Sequence, residues 1–101
     1  MAALVSVGYQ QLTVTGTATK LTPPTGLRPR RALILVVSQQ VRWRADGSAP
    51  VATTSGTPVA AGDYVNWADT LDTTDNWGLI LNSQWISDTG TNATLEIQYF
   101  E

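Results

Sequence analysis

No window of a dozen residues in this chain carries apolar groups at three- and four-residue spacing, so an amphipathic helix has nowhere to form. Short alternating segments recur instead, broken by Gly, Pro, Asp and Asn. Ser6 to Thr15 reads as a first strand, with Leu12 and Val14 on one face and Thr13 and Thr15 on the other. After Gly16, Thr17 to Leu21 continues as a second segment, and Pro23-Pro24-Thr25-Gly26 forms a stiff connection.

Arg31 to Gln40 follows. Its run Ala32-Leu33-Ile34-Leu35-Val36-Val37 is apolar on both faces and predicts a central strand. Val41 to Arg44 alternates, with Val41 and Trp43 inward and Arg42 and Arg44 outward. Asp46-Gly47 predicts a turn, Ser48 to Thr57 a long loop, and Gly62-Asp63 a second turn. Tyr64 to Ala68 alternates, and Asp69 to Asn76 reads as a polar loop. Trp77 to Asn82 is expected to be a strand with Trp77, Leu79 and Leu81 on one face. Trp85 to Asp88 and Ala93 to Phe100 are expected to form a hairpin, the latter with Ala93, Leu95, Ile97 and Tyr99 facing the core. Seven to eight short strands at this spacing predict an all-β fold, an antiparallel β-sandwich of jelly-roll or immunoglobulin-like type. Residues 1–101 are read as a single β domain, in which 1–9 form either the first strand or an extended N-terminal arm.

Charge divides along the chain. All six basic residues (Lys20, Arg28, Arg30, Arg31, Arg42, Arg44) precede all eight acidic ones, which run from Asp46 to Glu101. Opposite charges within a Debye length of ~8 Å attract, so the two parts pair either within one fold or between copies. Charged residues make up 14%, below the ~25% of ordinary soluble domains. Interfaces are similarly poor in Lys and Glu.

Cys and His are both absent, which removes disulfides, the usual zinc sites and the commonest acid–base and nucleophilic groups. No enzyme activity and no cofactor are expected. The Asp69, Asp72 and Asp75 loop offers hard oxygen ligands for calcium but lacks the order of a known calcium loop, and reads as a solvated turn. Arg28, Arg30 and Arg31 have no aromatic neighbour to stack on bases, and the net charge is −2, so nucleic acid is not an expected partner. The longest apolar run is too short to span a bilayer, and no membrane partner is expected.

Four Trp are more than a core of this size needs. Alternation puts Trp43 and Trp77 in the core, and Trp67 is an interface candidate. Exposed Trp would also serve a carbohydrate-binding module. The remaining interface candidates are the strand entrance (Arg28, Arg30, Arg31), the outward Arg42 and Arg44, and the acidic loop (Asp69, Asp72, Asp75).

The stretch Val41-Arg42-Trp43-Arg44-Ala45-Asp46-Gly47-Ser48-Ala49-Pro50, then Pro58-Val59-Ala60-Ala61-Gly62-Asp63, and the ending Ile86, Thr89-Gly90-Thr91, Ala93-Thr94-Leu95 resemble a pattern in small structural proteins of tailed-bacteriophage particles. Ala45 departs from it, standing where a second acidic residue is expected. The resemblance spans Ala18 to Phe100. It implies a virion protein similar to capsid decoration (cement) proteins, a homo-oligomer with the trimer favoured, bound to the major capsid protein or another virion protein. Its place would be the capsid surface, after assembly in the host cytoplasm. A neck, tail or fibre component is the alternative within the same resemblance.

Overall fold

The structure, a computed structural model, describes residues 6–68 and 75–101. Its elements are β1 (Ser6–Val14), β2 (Thr19–Lys20), β3 (Arg31–Ser38), β4 (Val41–Arg44), β5 (Thr57–Val59), β6 (Tyr64–Trp67), α1 (Trp77–Asn82), β7 (Gln84–Ser87) and β8 (Ala93–Phe100). They form two antiparallel four-stranded sheets, ordered β1-β8-β3-β6 and β2-β7-β4-β5. First pairs with last, second with seventh, third with sixth and fourth with fifth. The chain is thus one long ribbon folded back on itself and rolled, so that successive rungs fall in alternate sheets. This is the jelly-roll arrangement of an all-β sandwich.

Alternation decides which side of each strand is buried. In the first sheet, Val14, Ala32, Ile34, Val36, Ala93, Leu95, Ile97 and Tyr99 point inward and are buried. They meet Val41, Val59 and Trp85 of the second sheet, and Ile80 of the helix fills one end of the same core. Tyr99 reaches the core's margin. Burial raises its pKa, and its hydroxyl donates to Gln10 Oε1 at 2.7 Å. The same Gln10 oxygen accepts the Thr22 N–H at 3.2 Å, which ties the return crossing from β2 to the inner face of β1.

Two expectations need correction. Trp77–Asn82 is a helix, not a strand. A six-residue, mostly apolar segment carries no periodicity that separates the two, and here Asp75 accepts the Trp77 N–H at 2.9 Å while Ile80 N–H and Ser83 N–H close onto the Asn76 and Leu79 carbonyls at 3.0 Å each. Only Ile80 of the run is buried, and Leu79 and Leu81 are exposed. Second, β7 and β8 are not a hairpin, because they lie in opposite sheets and the connection 88–92 crosses between them. Ser6 to Tyr9 begin β1, one of the two readings given for residues 1–9, and Met1 to Val5 lie outside the described residues.

Ile97 is fully buried in β8, between Gln10 of β1 and Ile34 of β3. Ile97→Ala should cost ~2–5 kcal/mol, the range for truncating a buried aliphatic side chain, read as a lower midpoint in urea denaturation. An unchanged midpoint would move the core elsewhere.

Candidate functional site

Four features gather the polar and aromatic chemistry. The first is the entrance to β3. The Arg30 N–H donates to the Phe100 carbonyl at 3.1 Å, and the Arg30 carbonyl accepts the Asn76 N–H at 2.9 Å. This stitching brings Arg28, Arg30 and Arg31 beside Asp75 and Glu101 around an open cleft of about 540 Å³. Arg28 lies 3.8 Å from Asp75, with both side chains well exposed, and its guanidinium stands 5.9 Å from the Trp77 ring centre. Arg31 Nη1 donates to the Glu101 carbonyl at 3.2 Å. The strand-entrance arginines and Asp75, far apart in sequence, are therefore neighbours. Asp69 and Asp72 lie outside the described residues. The cleft carries both signs of charge, and exposed pairs of this kind are worth ~0–1 kcal/mol.

The second feature sits on the outer side of the second sheet. Arg42 faces away from the core, as alternation requires, yet it is covered. Its Nε donates to Asp88 Oδ1 at 2.9 Å and its Nη1 to the Gly56 carbonyl at 3.2 Å. Asp88 also accepts the Thr53 N–H and the Gln40 amide. The side chains are 19% and 5% exposed, so this is a largely buried pair that clamps the loop after β4 at Thr53 and Gly56. Gly56 sits at φ +106, where a Cβ would come within 3.0 Å of both Pro50 Cβ and the Trp43 carbonyl oxygen. Arg42 is thus committed within the chain. Arg44 is also paired, donating from Nε to Asp46 Oδ1 at 3.0 Å, and this bond holds the Asp46 carboxyl below its ordinary range. The turn closes on Asp46 alone, with the Ser48 N–H at 3.3 Å and Ala45 adding no charge.

Third, the tryptophans go inside. Trp43 stands edge-on to Trp67 at 5.3 Å and stacks on Trp85 at 5.8 Å, and Trp67 and Trp85 are 6.3 Å apart. Trp85 is fully buried, and its Nε1 donates to Ser83 Oγ at 3.0 Å. Trp43, Trp67 and Trp77 are partly buried against the core. The interface candidate Trp67 therefore packs from β6 against the core.

The fourth feature is one that sequence reading missed. Among the described residues, only one face of β3 is covered. Leu33 and Leu35 point outward and are half-buried, and Val37, beyond an irregularity in the pairing, is 46% exposed. Register places Tyr9, Gln98, Leu33 and Asn66 in one outward row and Gln11, Glu96, Leu35 and Tyr64 in the next. Tyr9 and Tyr64 are 57% and 61% exposed. The Tyr9 hydroxyl donates to Glu96 at 3.0 Å, which raises its pKa. The signal was present in a run apolar on both faces within a fold of two layers, where one face of every strand must look outward.

Comparison of the chain with protein-family models, curated proteins and solved structures finds no match to any of them.

Burial alone would raise the Asp88 carboxyl, but the Thr53 N–H, the Gln40 amide and the Arg42 guanidinium outweigh it and hold it below its ordinary value. A carboxyl depressed on folding stabilises the fold above its unfolded value, near ~3.9, and that contribution is lost as pH falls through the folded value. Asp88→Asn should therefore lower stability by roughly 2–3 kcal/mol near neutrality and flatten the decline at acid pH. Urea denaturation at both pH values checks this, and equal pH dependence in the two proteins would show that the clamp is not a stabilising pair.

Proposed function

We propose that this chain is a non-enzymatic structural protein of a bacteriophage particle, a capsid decoration protein that binds the major capsid protein and stabilises the assembled head. The observation that carries this reading is the outer face of the first sheet. It presents Tyr9 and Tyr64 to solvent beside the half-buried Leu33 and Leu35, with Gln11, Glu96, Gln98 and Asn66 around them. Tyrosine anchors with few charges suit a protein contact better than bulk solvent.

The residues behind the resemblance have structural jobs. Arg42 and Pro50 hold the 50–56 loop, Trp43 joins the core, and Asp46 closes its turn on Arg44. They argue for a shared fold, and the jelly-roll topology is one that viral capsid domains use widely. That is an analogy of fold, and function rests on the outer face. Decoration then follows from mass action: a protein that binds the assembled lattice and not free subunits shifts the equilibrium toward the lattice.

Purified protein should bind heads of the encoding phage from which it has been stripped, and make them more resistant to heat. Tyr64→Glu combined with Leu35→Glu should weaken binding by at least about tenfold without unfolding the domain, because both positions lie outside the core. Binding to tails or necks instead of heads would replace decoration with a role there. Absence of the chain from particles, by mass spectrometry of purified virions, would overturn the reading.

A further inference from the structure

Among the described residues the sandwich has four edge strands, and three are short: β2 has two residues, β5 three and β6 four. Short edges, and a proline such as Pro58 in β5, are among the devices that stop sheets from pairing with other chains. The fourth edge, β1, is nine residues long, SVGYQQLTV, with no charge and no proline. Its one irregularity lies between Ser6 and Gly8, where Pro24 packs so closely that a Cβ at Gly8 would strike its ring. From Tyr9 to Val14 the register with β8 is regular. Among the described residues, no backbone hydrogen bond reaches Ser6–Val14 from any element except β8. The Gln10–Thr22 bonds involve the inward side chain and leave the backbone edge open.

We propose that this edge is a dimer contact in which β1 of one chain pairs antiparallel with β1 of a second copy. The strand fits itself. It carries no charge, so no antiparallel register sets like charges opposite one another. Registers in which the inward residues Gly8, Gln10, Leu12 and Val14 meet their counterparts keep both cores on the same side of a continuous eight-stranded sheet. A two-fold contact also satisfies both open edges at once and closes at two copies. A segment of another protein would leave the second chain's edge open. The pairing would align the outer faces of the two first sheets and bring the Tyr9 residues of both copies toward the join. It closes at two, so the trimer implied by the resemblance would need a different, head-to-tail contact.

The test is the mass by light scattering, from dilute to concentrated solution, of the full chain and of two edge variants. Wild type should approach twice the chain mass. Gln11→Lys with Thr13→Lys should be monomeric, as should Gln11→Glu with Thr13→Glu, each with an unchanged circular dichroism spectrum because both positions are exposed. Mixing the two variants should restore the dimer. Wild type that stays monomeric throughout, a Lys variant that still dimerises, or a mixture that stays monomeric would each overturn the proposal. If a variant fails to fold, amide exchange of wild type decides: amides of Tyr9 to Val14 facing away from β8 should gain protection with concentration, and unchanged exchange would refute the contact. No phage particle enters this test, so its failure and failure of head binding are separate results.

Discussion

Among the described residues, two sheets and one short helix enclose this core, and that constraint determines what the rest of the molecule can do. A strand in a two-layer fold buries one face only. In β8 the sequence obeys this, with Ala93, Leu95, Ile97 and Tyr99 buried and Thr94, Glu96, Gln98 and Phe100 turned away. In β3 it does not, because Leu33, Leu35 and Val37 are apolar where a polar residue would serve. Burying Ala32, Ile34 and Val36 against Trp85 and Val41 leaves the other set facing out. The exposed apolar face is a consequence of that strand's composition and of the number of layers.

The division of charge along the chain finds a physical role in the roll. The ribbon folds its second part back over its first, so basic residues of the early strands meet acidic residues of later segments: Arg28 with Asp75, and Arg42 with Asp88. The two pairs differ in weight. Arg28 and Asp75 are exposed and screened. Arg42 and Asp88 are largely buried and carry further hydrogen bonds from Thr53 and Gln40 and to Gly56, so losing either partner strands a charge. Charge pairing within the fold thus secures the crossing after β7 and the long loop after β4.

Period-2 patterns made much of this architecture legible. β1, β4, β6 and β8 follow from alternation and punctuation, β3 follows from its continuous apolar run, and the inward face of β8 was read correctly. Sheet membership was not readable, because nothing local in Thr89-Gly90-Thr91-Asn92 distinguishes a hairpin from a crossing; the difference lies in Asp88, held by Arg42 forty-six positions away. The helix was missed because the six residues Trp77 to Asn82 are too few to separate the two periods. The tryptophans were only half placed, since Trp67 and Trp85 meet Trp43 across strands that the sequence does not order. Of the candidate site, the arginine cluster was visible as a run, and its meeting with Asp75 depended on the fold. The outer face required both the register and the number of layers.

Adhesion through that outer face is the central claim, and the absence of native cysteine makes it directly measurable. A single Leu35→Cys substitution puts a thiol at its centre. Its rate of maleimide labelling, in free protein and after incubation with phage heads, reports whether the face is open and then covered. The account predicts labelling in free protein at a rate near that of an exposed thiol, and strong protection on heads. Slow labelling of the free protein would mean that the face is already covered, and equal rates in both states would mean that the particle is bound through another surface or not at all.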